Sequence, residues 1–223
     1  MYDELRKRGT SPVVHVVDDD EAVRQSLAFL LRTVRLEVKT YESAVAFLGS
    51  RPVTGAGCVI TDVRMPEISG LDLLRRLREL EVALPVIVIT GHGDVRLAVE
   101  AMKAGAVDFL EKPFDDEVVL SAVRAALDQR EKDSKREAER SEVASRLASL
   151  SNRERQVLDG LVAGRPNKTI AYDLGISPRT VEVYRANVMT KMDAATLSDL
   201  VRMALVAGTL DDALEPGSSK AGR

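Results

Sequence analysis

The sequence predicts an α/β doubly wound (βα)5 parallel sheet followed by an all-α four-helix domain. Three observations carry that reading. Five short apolar or β-branched runs alternate with amphipathic helical stretches up to about residue 127. Runs such as PVIVIT are apolar without alternation, as strands covered on both faces require. Beyond residue 142 the apolar spacing is helical only.

The elements follow in order. VVHVV (13–17) is the first strand, and residues 21–33 place Ala22, Val23, Leu27, Leu30 and Leu31 at helical spacing. LEVKTY (36–41) reads as extended, and a helical SAVAFLG then ends at Gly49. CVITD (58–62) is the third strand and GLDLLRRLREL (70–80) an amphipathic helix. PVIVIT (85–90) is the fourth strand, with VRLAVEAMKAG (95–105) closed by Gly105. DFLEKPF (108–114) and EVVLSAVRAAL (117–127) are the fifth strand and helix.

Residues 128–142, DQREKDSKREAERSE, have one apolar member, Ala138, so they have no face to bury. Asp128/Lys132 and Glu131/Lys135 are opposite charges four apart, which favours a solvated helical linker over residues 129–146. A long coiled coil lacks its apolar seam here. Ser151 then opens S-N-R-E, a capping box with Glu154, ahead of the stripe Val157, Leu158, Leu161 and Val162. NKTIAYDLG (167–175) is a short second helix. Ser177-Pro178 is an N-cap with Pro at the first helical position, starting a third helix that runs to about Met192. LSDLVRMALVAG (197–208) closes the domain. The termini, residues 1–11 and 209–223, read as a flexible extension and a disordered tail.

Bulk properties narrow the function classes. No run approaches the roughly 18 apolar residues of a membrane span. The N-terminus lacks a signal peptide's apolar core, and the lone Cys58 excludes an intramolecular disulfide. A cytoplasmic protein with no membrane partner is the simplest expectation. Residues 13–127 hold 13 Lys/Arg and 18 Asp/Glu, a net of −5; residues 150–207 hold 8 basic and 6 acidic, a net of +2. The halves are expected to meet different partners, and the second sign permits nucleic acid without requiring it.

In an open parallel sheet, chemistry gathers at the carboxyl ends of the strands. The first strand ends at Asp18, Asp19 and Asp20, the third at Asp62, the fourth at Thr90, and the fifth near Lys112 and Pro113. A lone Asp at a strand end is ordinarily a cap or turn residue. Four such coincidences on one edge are not explained that way. Clustered carboxylates need a counter-charge, and oxygen ligands suit a hard cation such as Mg2+. With Mg2+ and Lys112 nearby, Asp62 could attack a phosphoryl group and carry it as an acyl phosphate. Thr90 could donate to a phosphoryl oxygen, and Lys112 could pair with another. Met65-Pro66 and Gly70 would shape the loop that leaves room for it.

VVDDDE, ITDVRMPEISG, VIVITGHGD and GAVDFLEKPF closely resemble the receiver domain of two-component response regulators, over about residues 12–128. The resemblance implies Asp62 as phosphoacceptor. Asp18 and Asp19 would help to bind Mg2+, with the Arg64 carbonyl as a further ligand. Thr90 and Phe109 would be the switch pair, and Lys112 the site lysine. It also implies that Thr90 moves toward the phosphoryl oxygens and Phe109 rotates inward. The face made by the fourth helix and fifth strand then dimerises, a population shift biased by the phosphoryl group.

In the third helix of the second domain, Val181, Tyr184, Val188 and Met192 share an inward face. Glu182, Val183, Ala186 and Thr190 lie opposite, flanked by Arg179, Arg185 and Lys191, which suits a helix laid in a major groove. LSNRERQVLDGLVAG and PNKTIAYDLGISPRTVEVYRANVMTKM resemble the LuxR/FixJ-type helix-turn-helix, over about residues 147–208. The whole chain resembles FixJ-type response regulators. That resemblance places Glu182, Val183 and Ala186 toward bases. It makes Lys168, Arg179, Thr180, Arg185 and Lys191 backbone-contact candidates. Many similar domains carry Lys where Glu182 stands. A Glu would accept from cytosine N4, and Val183 could touch a thymine methyl.

The implied partners are a sensor histidine kinase, double-stranded promoter DNA, a second copy when phosphorylated, and RNA polymerase. Two rival readings compete with this one. A haloacid-dehalogenase-like Mg-dependent phosphatase can be forced onto Asp18 and Asp20, but it leaves Asp62 and the second domain unexplained. A phosphate-independent DNA-binding adaptor would not need so complete an acid site. Of the smaller signals, His15 reads as structural, His92 as a loop residue beside Thr90 that could border the phosphate, and Cys58 as a buried small hydrophobe. Sparse aromatics give no platform for base stacking.

Overall fold

The computed structural model describes residues 12–50, 56–91 and 95–207. The expectations for the two termini and for His92 lie outside the described residues. Five strands, β1 (Val13–Val17), β2 (Glu37–Tyr41), β3 (Gly57–Asp62), β4 (Val86–Thr90) and β5 (Asp108–Glu111), form one parallel sheet in the order β2-β1-β3-β4-β5. Between them run α1 (Glu21–Thr33), α2 (Ala44–Gly49), α3 (Gly70–Glu79) and α4 (Val95–Ala104), and α5 (Asp116–Ala148) follows β5. The doubly wound reading holds.

Each face of the sheet is covered by its own helices. Val14, Val16, Ile60, Ile87 and Ile89 pack with Leu27 and Leu31 of α1 and with Val119 and Val123 of α5. Val17, Val59, Val86 and Val88 face the other way, onto Phe47 of α2, Leu73, Leu74 and Leu77 of α3, and Ala101 of α4. Strands buried on both faces need apolar side chains at every position, which is why these runs do not alternate. Each fully buried Leu, Ile or Val contributes about 1.5–3 kcal/mol.

β5 stops at Glu111, short of the expected residue 114. Pro113 has no N–H to give the ladder, and the Lys112–Pro113 peptide is cis. α5 is longer than the expected 117–127 and runs unbroken through the charged stretch. No Gly or Pro occurs within Asp116–Ala148, and local polar pairs such as Gln129 donating to Asp133 at 2.9 Å support it.

The chain divides into two compact units between Ser134 and Lys135. The second contains α6 (Asn152–Val162), α7 (Asn167–Leu174), α8 (Pro178–Met192) and α9 (Leu197–Val206). Its core joins Val157, Leu158, Leu161, Ile170, Val181, Val188, Met192 and Leu200. Val143 and Leu147, from the last turns of α5, are buried in that same core. Ser151 and Glu154 form the expected capping box, and Ser177 caps α8 with Pro178 in the first turn. A second box, Thr196 with Asp199, starts α9. No helix among the described residues is long and apolar enough to cross a membrane.

Candidate functional site

Strand register brings the edge residues together. Val17 pairs with Thr61, so Asp18 and Asp62 leave neighbouring strands β1 and β3 at one level. Asp62 pairs with Ile89, and Thr90 pairs with Glu111, next to Lys112. The order β2-β1-β3 means the chain leaves β1 in one direction and returns to β3 on its other side. That reversal opens a crevice at the carboxyl edge.

Lys112 Nζ sits between the two acids. It donates to Asp18 Oδ2 at 2.8 Å and to Asp62 Oδ1 at 2.7 Å. The other Asp62 oxygen accepts the Arg64 N–H at 2.6 Å. Burial pushes the Asp18 carboxyl above its ordinary value; hydrogen bonds from Lys112 and Asp20 oppose that, and the Asp62 charge adds to it. Burial acts to lower the Lys112 ammonium as well, yet hydrogen bonds to Asp18 and Asp62 carry it above its ordinary value. The ammonium therefore stays charged at neutral pH.

The loop after Asp62 turns at once. The Ile68 N–H reaches the Pro66 carbonyl at 2.7 Å, Glu67 takes a left-handed φ of 64°, and the Gly70 N–H returns to the Val63 carbonyl at 3.0 Å. Ser69 caps α3 through the Asp72 N–H. These bonds fold the loop back beneath Asp62 and leave its carboxylate on the sheet edge.

The three successive acids after β1 have different situations. Asp18 is buried. Asp19 is exposed. Asp20 is the N-cap of α1, accepting from the Ala22 N–H at 2.8 Å. Thr90 is buried at the end of β4, and Phe109 is half-buried against the α3–α4 side of the core. One contributor was missed by sequence reasoning. Arg24 of α1 donates from Nη1 to the Asp18 carbonyl at 2.7 Å. The Asp18 N–H is held by the Tyr41 carbonyl at 3.2 Å, so its main chain is fixed at both ends.

In the second unit, Glu182, Val183 and Ala186 are exposed on one side of α8, while Val181, Val188 and Met192 are buried and Tyr184 half-buried on the other. Arg179 and Lys168 are exposed. Arg185 is half-buried, and Thr180 is bonded through its hydroxyl to Ser177 at 2.8 Å. Lys191 departs from expectation. Its ammonium turns back to Glu154 Oε2 at 2.7 Å and the Ser149 carbonyl at 3.3 Å. A helical projection places Lys191 at the edge of the reading face, but the long side chain reaches inward to a carboxylate that is only 4 % exposed. In this structure the Lys191 ammonium is thus engaged by Glu154 rather than turned to the outer side of α8.

An acid-and-lysine edge on a doubly wound sheet, in a chain with a helix-turn-helix unit, defines a regulator that couples a chemical input to DNA. Comparison with known proteins agrees. Residues 14–124 match the family "Response regulator receiver domain", and residues 148–204 match "Bacterial regulatory proteins, luxR family". The chain is 63 % identical over 202 residues to the transcriptional regulatory protein FixJ of Azorhizobium caulinodans, covering 90 % of this chain and 96 % of that one. It is 55 % identical over 199 residues to FixJ of Rhizobium meliloti, covering 89 % and 98 %. Full-length FixJ from B. japonicum superposes with a TM-score of 0.56 at 52 % identity, covering 90 % and 98 %. The response regulator StyR gives 0.79 at 39 %, covering 88 % and 99 %. The chain belongs to the FixJ-type response regulators. It is a two-component transcriptional regulator with a LuxR-type DNA-binding domain, not a turnover enzyme. The N-cap role of Asp20 is in keeping with that, since the rival phosphatase reading needs Asp20 in the site.

Proposed function

We propose that Asp62 takes a phosphoryl group from a sensor histidine kinase and that the adduct turns on promoter binding. The observation that supports this most directly is the Lys112 ammonium shared by Asp18 and Asp62 at 2.8 and 2.7 Å. In this reading an Asp62 oxygen attacks phosphorus, the bond to the kinase imidazole breaks, and an acyl phosphate remains. Lys112 pairs with the phosphoryl oxygens, and Thr90 donates to another.

The donor set suits Mg2+. Asp18, Asp19 and Asp62 carry three negative charges against the single Lys112 ammonium, and all their donor atoms are hard oxygens. Among the described residues no three acidic, His or Cys side chains stand in a metal-holding cluster. Asp18 and Asp62, which Lys112 bridges, are the proposed side-chain ligands together with the Arg64 carbonyl, and the exposed Asp19 would complete the set by turning toward them. Bound there, Mg2+ would neutralise charge on the incoming phosphoryl group.

Thr90 and Phe109 are the proposed switch. α4 supports a dimer as its output: Val95, Val99 and Met102 recur at helical spacing and are 77, 48 and 50 % exposed. Paired α8 helices would then bind paired half-sites. Glu182, Val183 and Ala186 read bases, while Lys168, Arg179, Thr180 and Arg185 hold the phosphate backbone. The regulator acts in the cytoplasm and activates transcription by RNA polymerase.

The test is intact mass spectrometry after incubation with a small phosphodonor and Mg2+, beside Asp62→Asn. One phosphoryl group on the wild type and none on the variant is the expected result. No adduct on the wild type, with donor and Mg2+ verified, would point to signalling without phosphate.

A further inference from the structure

The carboxyl end of α8 is held from two directions. Lys191, its penultimate residue, reaches out to Glu154 Oε2 at 2.7 Å and to the Ser149 carbonyl at 3.3 Å. Arg146, from the last turn of α5, reaches in. It donates from Nη1 to the Met192 carbonyl at 2.7 Å and from Nη2 to Asp193 at 3.2 Å and Glu142 at 2.7 Å. A cation at a helix C-terminus meets the negative end of the helix dipole and an unpaired terminal carbonyl. Arg155 closes the same corner by donating to the Leu147 carbonyl at 2.7 Å. The other end of α8 is fixed by the Ser177 cap.

We infer that Lys191 and Arg146 are positioning residues for DNA recognition: they brace α8 so that Glu182, Val183 and Ala186 meet the groove, and neither contacts DNA. Glu154 argues against the simpler role for Lys191. Its carboxylate accepts from the Ser151 N–H at 2.8 Å as well as from Lys191, and its side chain is 5 % exposed. A Lys191 that swung out to a phosphate would abandon a buried carboxylate, which is costly. The brace also extends the DNA-binding unit upstream. Arg146, with the buried Val143 and Leu147, belongs to it, although the family match begins at residue 148. This inference rests on α8 as the reading helix.

The test separates a brace from a phosphate contact by salt dependence. A duplex is first enriched by the wild-type full chain from a randomised library, with a small phosphodonor and Mg2+ present throughout. Affinity for it is then measured against salt for Lys191→Met, Lys191→Arg, Glu154→Gln and Arg146→Ala, each checked for folding by circular dichroism. The expected result is a loss of roughly tenfold in Lys191→Met and Glu154→Gln. The logarithmic salt slope should be unchanged, Lys191→Arg should restore affinity in part, and Arg146→Ala should behave like Lys191→Met. A slope shallower by about 0.9 in Lys191→Met, with Glu154→Gln binding normally, would show a phosphate contact and overturn the inference. Lower melting temperatures with unchanged affinity would reduce the brace to fold stability and overturn it too. If Lys191→Met does not fold, Arg146→Ala decides by the same criteria. Glu182→Lys and Val183→Ala are the separate controls: an enriched sequence unchanged in both would remove α8 as the reader, and the brace would fall with it.

Discussion

Gly70 backs directly onto Asp62. A Cβ at Gly70 would lie 2.1 Å from the Asp62 carbonyl oxygen and 3.1 Å from the Thr61 hydroxyl. The obstruction is backbone, which cannot swing aside as a long side chain can. Gly70→Ala must therefore move either the end of β3 or the start of α3. We expect a loss of about 1–3 kcal/mol in urea unfolding. The phosphoryl adduct on Asp62 should also form more slowly in a mass-spectrometric time course, since the carboxylate shifts relative to Lys112. Wild-type kinetics in a destabilised variant would separate the packing role from the chemical one.

Removing Lys112 leaves Asp18 and Asp62 facing each other without their shared cation. Lys112→Met should cost on the order of 2–4 kcal/mol at neutral pH, because a buried charge pair has lost one partner. Mg2+ should restore more stability to the variant than it adds to the wild type. Thermal melts with and without Mg2+ check both points. An equal Mg2+ response in the two proteins would count against cation binding at these acids.

Thr90 is 1 % exposed at the end of β4, beside the strand that carries Asp62. Thr90→Ala should still accept phosphate but fail to dimerise, because no hydroxyl is drawn toward the phosphoryl oxygens. Mass spectrometry reads the first property and sedimentation velocity the second. Phosphate-dependent dimers of normal strength would sink the switch assignment.

Much of this architecture was legible because each signal had one physical meaning. A run such as VIVIT, apolar at every position, fits a strand covered on both faces. S-N-R-E before an apolar stripe fits a capping box, and both are present. Other features carried no periodic signal. Arg24 reaches the Asp18 carbonyl from six residues on, a distance set by the turn into α1 rather than by any repeat. Asp18, Asp19 and Asp20 read alike as letters, and only the turn into α1 makes the third a cap. Lys191 was placed by its position on a helical projection, which fixes where a side chain leaves the helix but not where a flexible four-carbon stem ends. The T-L-S-D box of α9 was readable by the same rule as the first and was missed.

His15 gives a pH prediction. Its ring packs against Tyr41 and Phe47, and Nδ1 lies 3.1 Å from the Tyr41 hydroxyl. Burial, with Lys39 adding to it, lowers its pKa from 6.5 to about 4. The unfolded chain therefore binds this proton more readily than the folded one. The stability that His15 contributes is complete above about pH 6.5 and is lost as pH falls toward 4. His15→Gln, which keeps a polar partner for Tyr41, should flatten the decline across that window. Melting temperatures at a series of pH values for both proteins provide the comparison, and parallel curves would mean that other groups govern the acid limb.

Glu182 sets the last expectation. It is exposed on the same side of α8 as Val183, and a carboxylate there would repel phosphates while accepting from a cytosine amine. In that role it would trade non-specific affinity for discrimination. Glu182→Lys reverses the charge, so binding should strengthen on unrelated duplexes and spread over more sequences. The logarithmic salt slope should steepen by about 0.9 if the new ammonium neutralises one phosphate. Selection from a randomised duplex library, followed by salt titration on enriched and unrelated sites, measures both effects. The two readouts answer different questions. A changed sequence preference with an unchanged slope would put residue 182 over a base but away from the backbone. A steeper slope with unchanged preference would put it at the edge of the groove, and base reading would pass to Val183 and Ala186.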